Sequence, residues 1–246
     1  MKKQLSVLAI ASLFSLATQA DMLGVYAGYG HWKPDFKGTI ANGSTQSLDF
    51  DSNINVDDDN QSTLYIAFEH PIPVIPNIRV ADQDMSSSGS GTFTGTFGGQ
   101  AFAGDVDTDF DLSHRDYTLY YEILDNWVNL DLGLTGRKFD GYVRVTDANN
   151  AANEAYETFN ETLPMLYGKA RFDLPLTGLS LSATLNYISH SGNTVTDTAF
   201  VLGYETSFGL GIEGGVRNFS LELDDEDDFT SDLEFDGVFV NATYHF

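Results

Sequence analysis

Cysteine is absent from this 246-residue chain. That absence rules out a disulfide-stapled secreted scaffold and a lipid anchor on an N-terminal cysteine. Positive charge is scarce: 12 Lys and Arg stand against 36 Asp and Glu, a formal net charge of −24. A surface of that sign is a very poor partner for nucleic acid. Beyond the first 20 residues no stretch supplies the roughly 18 uncharged apolar residues that a membrane-spanning helix needs. No His, Asp or Glu triad has a spacing that defines a metal centre, no Ser–His–acid grouping can be defended from spacing, and no cofactor is expected.

The start of the chain reads as a secretory signal peptide. Lys2 and Lys3 precede an apolar run from Leu5 to Leu16, and Thr18-Gln19-Ala20 offers small residues where a signal peptidase inspects them. That run is too short to cross a hydrocarbon layer of roughly 30 Å. Residues 1–20 are therefore expected to be removed, leaving one domain over 21–246. Loss of the two lysines leaves 12 − 2 = 10 bases against 36 acids, a charge of −26.

The remaining chain is rich in Gly, Phe and Tyr (23, 18 and 12 residues) and in short runs of period two. Its last segment sets Val238, Val240, Ala242, Tyr244 and Phe246 on one face of a strand. Ten segments alternate in this way, near 22–32, 62–70, 77–86, 108–122, 127–138, 162–173, 179–190, 196–206, 209–223 and 233–246. Each supplies about the 9–11 residues of a tilted transmembrane strand. Only helices and closed barrels satisfy their backbone in hydrocarbon. The pattern thus predicts an all-β fold, a transmembrane up-and-down antiparallel β-barrel of ten strands in the bacterial outer membrane. Tight turns at 71–76, 124–126, 174–178 and 207–208 alternate with connections at 33–61, 87–107, 139–161, 191–195 and 224–232, most of them long and polar. Short periplasmic turns and longer external loops are the habit of such barrels. The Gly- and Ser-rich stretch 86–104 is expected to be either a mobile tip or a hairpin turning at Gly98-Gly99.

Assigning faces separates a lipid side from a lumen side. Sets such as Leu64/Ile66/Phe68, Leu166/Gly168/Ala170/Phe172 and Leu210/Ile212/Gly214/Val216 should face lipid. The opposite parity holds five acids (Glu69, Glu122, Asp131, Glu205, Glu213) and five bases (Arg79, Arg137, Lys169, Arg171, Arg217). Unpaired buried charge is costly, so a one-for-one lumen network is expected, with Asp131 facing Lys169 or Arg171 and Glu213 beside Arg217. The segment near 77–86 fits worst, because Asp82 and Asp84 share parity with Ile78 and Val80. The first segment leaves its lipid face open between Leu23/Val25/Ala27/Tyr29 and Tyr26/Trp32.

Signal peptide, ten alternating segments, alternating loop lengths and the terminal Tyr244-x-Phe246 together resemble a small outer-membrane β-barrel protein of Gram-negative bacteria. The stretch Asp21-Met22-Leu23-Gly24-Val25-Tyr26-Ala27-Gly28 is similar to the start of an uncharacterised gammaproteobacterial family of such barrels. The resemblance implies that Tyr244 and Phe246 form an assembly signal read by the barrel-assembly machinery. It also implies contact with outer-membrane lipid and lipopolysaccharide, and it assigns no substrate.

Three functional readings follow. The first is a structural or surface-interaction role through acidic external loops, with the lumen plugged by the charge network. The second is a narrow channel for small solutes or ions. The third and most remote is a rim hydrolase built on Asp82-x-Asp84 and His114-x-Asp116, where a carboxylate-oriented His activates water. Asp105, Asp107, Asp109 and Asp111 are weak candidates for a cation site. They lack the glycine and closing glutamate of a calcium loop, so a solvated face with loose divalent screening is the simpler expectation.

Overall fold

The computed structural model describes residues 23–42, 46–226 and 229–246, without the side chains of 225 and 226. The expected signal peptide and part of the acidic run 224–228 lie outside the described residues. The alternating sequence forms fifteen strands: β1 (Gly24–Asn42), β2 (Leu48–Asp49), β3 (Gln61–Glu69), β4 (Asn77–Gln83), β5 (Ser86–Phe97), β6 (Gln100–Asp111), β7 (His114–Leu124), β8 (Val128–Phe139), β9 (Gly141–Asp147), β10 (Asn150–Phe159), β11 (Thr162–Asp173), β12 (Leu179–His190), β13 (Asn193–Glu205), β14 (Leu210–Glu226) and β15 (Phe229–His245). No helix among the described residues is long and apolar enough to cross a membrane.

Eleven strands form one sheet in the order β15-β14-β13-β12-β11-β8-β7-β4-β3-β1-β2, and β15 pairs back onto β1. Setting aside the two-residue β2 on the flank of β1, 11 − 1 = 10 strands close an antiparallel barrel. Closure leaves none of the ten as an edge strand. The predicted ten-stranded up-and-down barrel is thus the fold. Both described chain ends and the turns at 70–76, 125–127, 174–178 and 206–209 lie at one end, here the terminal end.

A belt of outward apolar side chains surrounds the part of the wall nearest the terminal end. It includes Leu64, Ile66, Leu132, Leu134, Leu181, Phe200, Leu202, Ile212 and Val240, all exposed. The ambiguity of the first strand resolves here, since Leu23 and Tyr29 face out while Trp32 is buried and Tyr26 lines the lumen. On β4 the misfit residue Asp82 does face out. It lies opposite Arg115 of β7 and accepts that guanidinium in an ion pair at the upper rim, while Asp84 accepts the Ser62 hydroxyl beyond the strand's end.

Above the belt the polarity of each face inverts without any change of parity. On β1, Trp32, Phe36 and Ile40 turn inward and are buried, while Lys33, Asp35 and Lys37 face out. On β14 and β15, Phe219, Leu221, Leu233 and Phe235 are likewise buried. The expectation of long polar loops is therefore corrected. Residues 33–42 continue β1, 87–107 belong to the β5–β6 hairpin, and 139–161 hold the β9–β10 hairpin. The two hairpins join as a second sheet, β10-β9-β6-β5. The segment expected at 108–122 is likewise split at Leu112 and Ser113 between β6 and β7. Of the two expectations for 86–104, the hairpin is the one formed. Phe97 pairs with Gln100 across Gly98 and Gly99, whose φ values of 53° and 75° suit a two-residue turn with both central residues left-handed. The segment around β2 is tied by Asp49, whose carboxylate accepts the backbone N–H groups of Ser52 and Asp51 at 2.8 and 3.0 Å. Those donors, Ser52 first, hold its carboxyl below the usual range.

Between the second sheet and the extended β1, β14 and β15 lies a dry core. Phe36, Phe50, Phe110, Phe219 and Phe235 pack with ring centroids 4.8–6.4 Å apart, at spacings where aromatic pairs add to burial. Leu48, Ile54, Met85, Phe97, Phe139 and Met165 complete it and are fully buried.

Candidate functional site in the lumen

The inward side chains sort by height. Nearest the terminal end is a vestibule of about 440 Å³, lined by Glu69, Arg79, Glu122, Asp131, Lys169, Arg171, Glu205 and Glu213 among others. Tyr26, Tyr65, Tyr120 and Tyr167 interleave with them. Tyr120 donates its hydroxyl to Glu69 at 2.7 Å, and Asn77 donates to Glu122 at 2.9 Å. Arg171 donates to Asp173 at 2.8 Å, and Asn129 donates to the other oxygen of that carboxylate at 2.8 Å. The Arg79 guanidinium sits 4.6 Å from the Tyr65 ring centroid, a cation–π distance.

At mid-height an ion layer crosses the lumen. Arg137 donates two parallel bonds to Asp116, at 2.8 and 2.7 Å, and a third to Asp197 at 2.6 Å. Arg217 grips the same Asp197 from the other side, at 2.9 and 2.8 Å. Its remaining arm donates to Gln83, whose own amide donates to the carbonyls of Ser62 and Asp84. The layer joins β7 and β8 to β13 and β14 and then to β4, so it bridges the barrel rather than lining one side. Two guanidiniums meet two carboxylates and the layer is neutral. Bidentate Arg–carboxylate geometry of this kind is the strongest ionic contact available to a side chain. Arg137, Asp116, Asp197 and Gln83 are all buried. Trp32 lies under the Arg217 guanidinium at 4.8 Å. Thr118 and Thr135 share a hydrogen bond of 2.8 Å, and Thr135 donates onward to Asn186 at 2.8 Å. Immediately above, the His114 ring meets Phe139 and Phe219 at 5.1 and 6.0 Å, and the aromatic core begins.

Of the ten residues the sequence assigns to the lumen, nine line the cavity and Arg137 is fully buried beside it. They do not match one for one. Arg137 and Arg217 are taken by Asp116 and Asp197, leaving Arg79, Lys169 and Arg171 among five acids. Lys169 is in direct register with Asp131. Glu213 is not the partner of Arg217; it lies opposite Gly203 and Asn241. Sequence reasoning missed both carboxylates of the layer. Asp197 shares parity with Glu205, and Asp116 with Glu122, so the signal was present, but Asp116 was read only as a partner of His114.

The remaining candidates stay apart. His114 and Asp116 point into the lumen, whereas Asp82 and Asp84 lie on the outer surface, so the two pairs of the hydrolase reading sit on opposite faces of the wall and share no cleft. Asp105, Asp107, Asp109 and Asp111 alternate along the outer face of β6. Asp107 accepts the Ser90 hydroxyl at 2.7 Å and Asp111 the backbone N–H of Ser113 at 2.8 Å. Among the described residues no group of three or more His, Asp or Glu converges as a metal site. At the C-terminus Tyr244 and Phe246 form an edge-to-face pair at 4.3 Å on the outer face, and the Phe246 N–H donates to Val25 at 2.9 Å.

No family model and no curated protein matches the chain, so the resemblance of its N-terminal segment to a gammaproteobacterial family has no support from sequence. Among solved structures it is similar to the transport unit of the autotransporter AIDA-I from Escherichia coli, at 8% identity and TM-score 0.39, over 98% of this chain and 95% of that one. It is also similar to the CymD monoaromatic hydrocarbon channel (8% identity, TM-score 0.36, 93% and 70% of the two chains) and to the Pseudomonas putida toluene transporter TodX (8%, 0.28, 92% and 89%). Likeness at this level says nothing about what the barrel carries.

Proposed function

We propose that this protein is an outer-membrane β-barrel that does not conduct and that acts through its outer end as a structural or surface-interaction protein. The observation that carries this reading is the neutral layer of Arg137, Asp116, Asp197, Arg217 and Gln83 spanning the lumen beneath a dry aromatic core. Together they leave the vestibule a dead end. The outward belt supports membrane insertion: about four outward apolar positions per strand cover seven residues, or roughly 23 Å along the strand. At the tilt of about 40° usual in such barrels this spans about 18 Å along the membrane normal, most of the apolar band of about 25 Å that they present to lipid. On this reading the terminal end faces the periplasm. Tyr244 and Phe246 then serve as the signal for the barrel-assembly machinery. The acidic outer surface, with Asp105, Asp107 and Asp109, meets lipopolysaccharide through loosely held divalent cations.

Planar-bilayer recording tests the reading. Purified, refolded barrel is expected to give no stable conductance steps. Reproducible steps of a single size would overturn the closed lumen and favour the narrow channel.

A further inference from the structure

A second cavity lies above the ion layer and has no part in closing the lumen. Its volume is about 740 Å³, inside the range of ligand pockets in general, roughly 300–1,000 Å³. Phe50, Phe110, Leu221 and Leu233 form its floor, while Leu163 of β11 and Ile188 of β12 stand at its mouth. The floor side chains are buried in the hydrophobic core, and the two at the mouth are partly buried.

The mouth exists because the wall parts there. The β11–β12 ladder runs from Asp173↔Ser180 up to Leu166↔Tyr187 and stops. Above that level Thr162–Met165 pair only with β8, and Ile188–His190 pair only with β13. Pro164 sits in the parted segment of β11, and proline has no N–H to offer a neighbouring strand. Leu166 and Tyr187 are also the uppermost outward apolar residues of their strands, so the gap begins at the upper rim of the apolar belt. Asn42, Thr158, Asn160, Ser189, His190 and Asn193 also line the cavity, but apolar surface predominates, and the apolar floor lacks dispersion partners until an apolar guest enters. Each wall of the gap is hydrogen-bonded to its other neighbour, β11 to β8 and β12 to β13, which holds the two apart. The lining includes Glu157 and Glu161 but no Lys or Arg, which opposes an anionic guest.

We propose that the outer end of the barrel holds one uncharged hydrocarbon chain, admitted sideways through the gap between β11 and β12. The occupant is an acyl chain of a neighbouring lipid or a free apolar solute; both present the same chemistry to the cavity.

The absence of cysteine allows a bimane fluorophore to be placed at the mouth through Leu163→Cys, in full-length barrel reconstituted in nanodiscs. Added 1-bromododecane is expected to quench it saturably. Leu223→Trp, which fills the cavity from a partly buried lining position, is expected to weaken the half-saturating concentration at least tenfold, and Leu221→Trp, deeper in the floor, to do the same. Heat-modifiable gel migration identifies the variants that remain folded. At pH 8, 12-bromododecanoate is expected to bind at least fivefold more weakly than the neutral chain. Bromines on the nanodisc lipids then identify the source. If lipid bromines quench the open mouth more than the Leu223→Trp mouth, the occupant is a bilayer chain; if only the added solute discriminates, it is a free solute. Quenching that does not saturate, or that is equal in open and filled barrels, overturns the site. Tighter binding of the carboxylate overturns the assignment to an uncharged ligand.

Discussion

Arg137 is the side chain on which the ion layer turns. It makes three of the layer's hydrogen bonds; among the described residues it is the guanidinium paired with Asp116, whereas Asp197 keeps Arg217. Truncating one member of a buried pair costs about 3–5 kcal/mol, because the partner is left charged and desolvated. Replacing both members by apolar residues of similar volume is often neutral or stabilising. Arg137→Ala is therefore expected to destabilise the barrel by about 3–5 kcal/mol, and Arg137→Met together with Asp116→Leu by much less. Urea unfolding of the two variants in detergent measures the difference. If the double variant proves as unstable as the single one, the uncompensated Asp116 carboxylate is not the origin of the cost.

Strands show the same economy of pattern, with glycine where the seam is tight. Gly30 of β1 faces β15 at the closing seam, where an added Cβ would lie 2.1 Å from the carbonyl oxygen of Val240 and 2.2 Å from the Asn241 side chain. At Gly136 the nearest atom would be 4.0 Å away, an ordinary contact. Gly30→Val is expected to impair closure and abolish heat-modifiable migration, while Gly136→Ala keeps it; equal migration of the two would refute the seam argument. The same strands explain what the sequence made legible. Strands β11 and β12 match the expected 162–173 and 179–190 residue for residue, because outward apolar residues alternate there with charges in β11 and with Ser, Thr and Asn in β12. The loop end escaped the reading because the parity continues while the polarity reverses. Once the outer face meets water and the inner face a core, Lys33, Asp35 and Lys37 look like a loop, although Trp32, Phe36 and Ile40 keep the period. Asp116 and Asp197 were readable by parity but not as a pair of partners, since their meeting across the lumen depends on the order β8-β7 and β14-β13 around the barrel. The lateral cavity was invisible because it arises from a ladder that stops, which no single strand records.

At the scale of the whole molecule, the closed lumen proposed above rests on two layers of different chemistry placed in series. The lower one is ionic and neutral, the upper one aromatic, and the vestibule reaches the lower layer and the edge of His114 just above it. An ionic layer alone is a poor barrier once its side chains are cut back, because water then enters and screens what remains. The aromatic layer does not depend on it: Phe36, Phe50, Phe110, Phe219 and Phe235 are each at most 3% exposed, and they are held between two separately hydrogen-bonded sheets. The combined change Asp116→Ala, Arg137→Ala, Asp197→Ala and Arg217→Ala removes two charges of each sign. It therefore leaves no uncompensated carboxylate or guanidinium in the layer. That barrel is expected to fold with reduced stability, to widen the vestibule at the level of the layer, and still to give no conductance steps in a planar bilayer. Steps from this variant would mean that the ionic layer is the sole seal and that the aromatic core leaves a path around it.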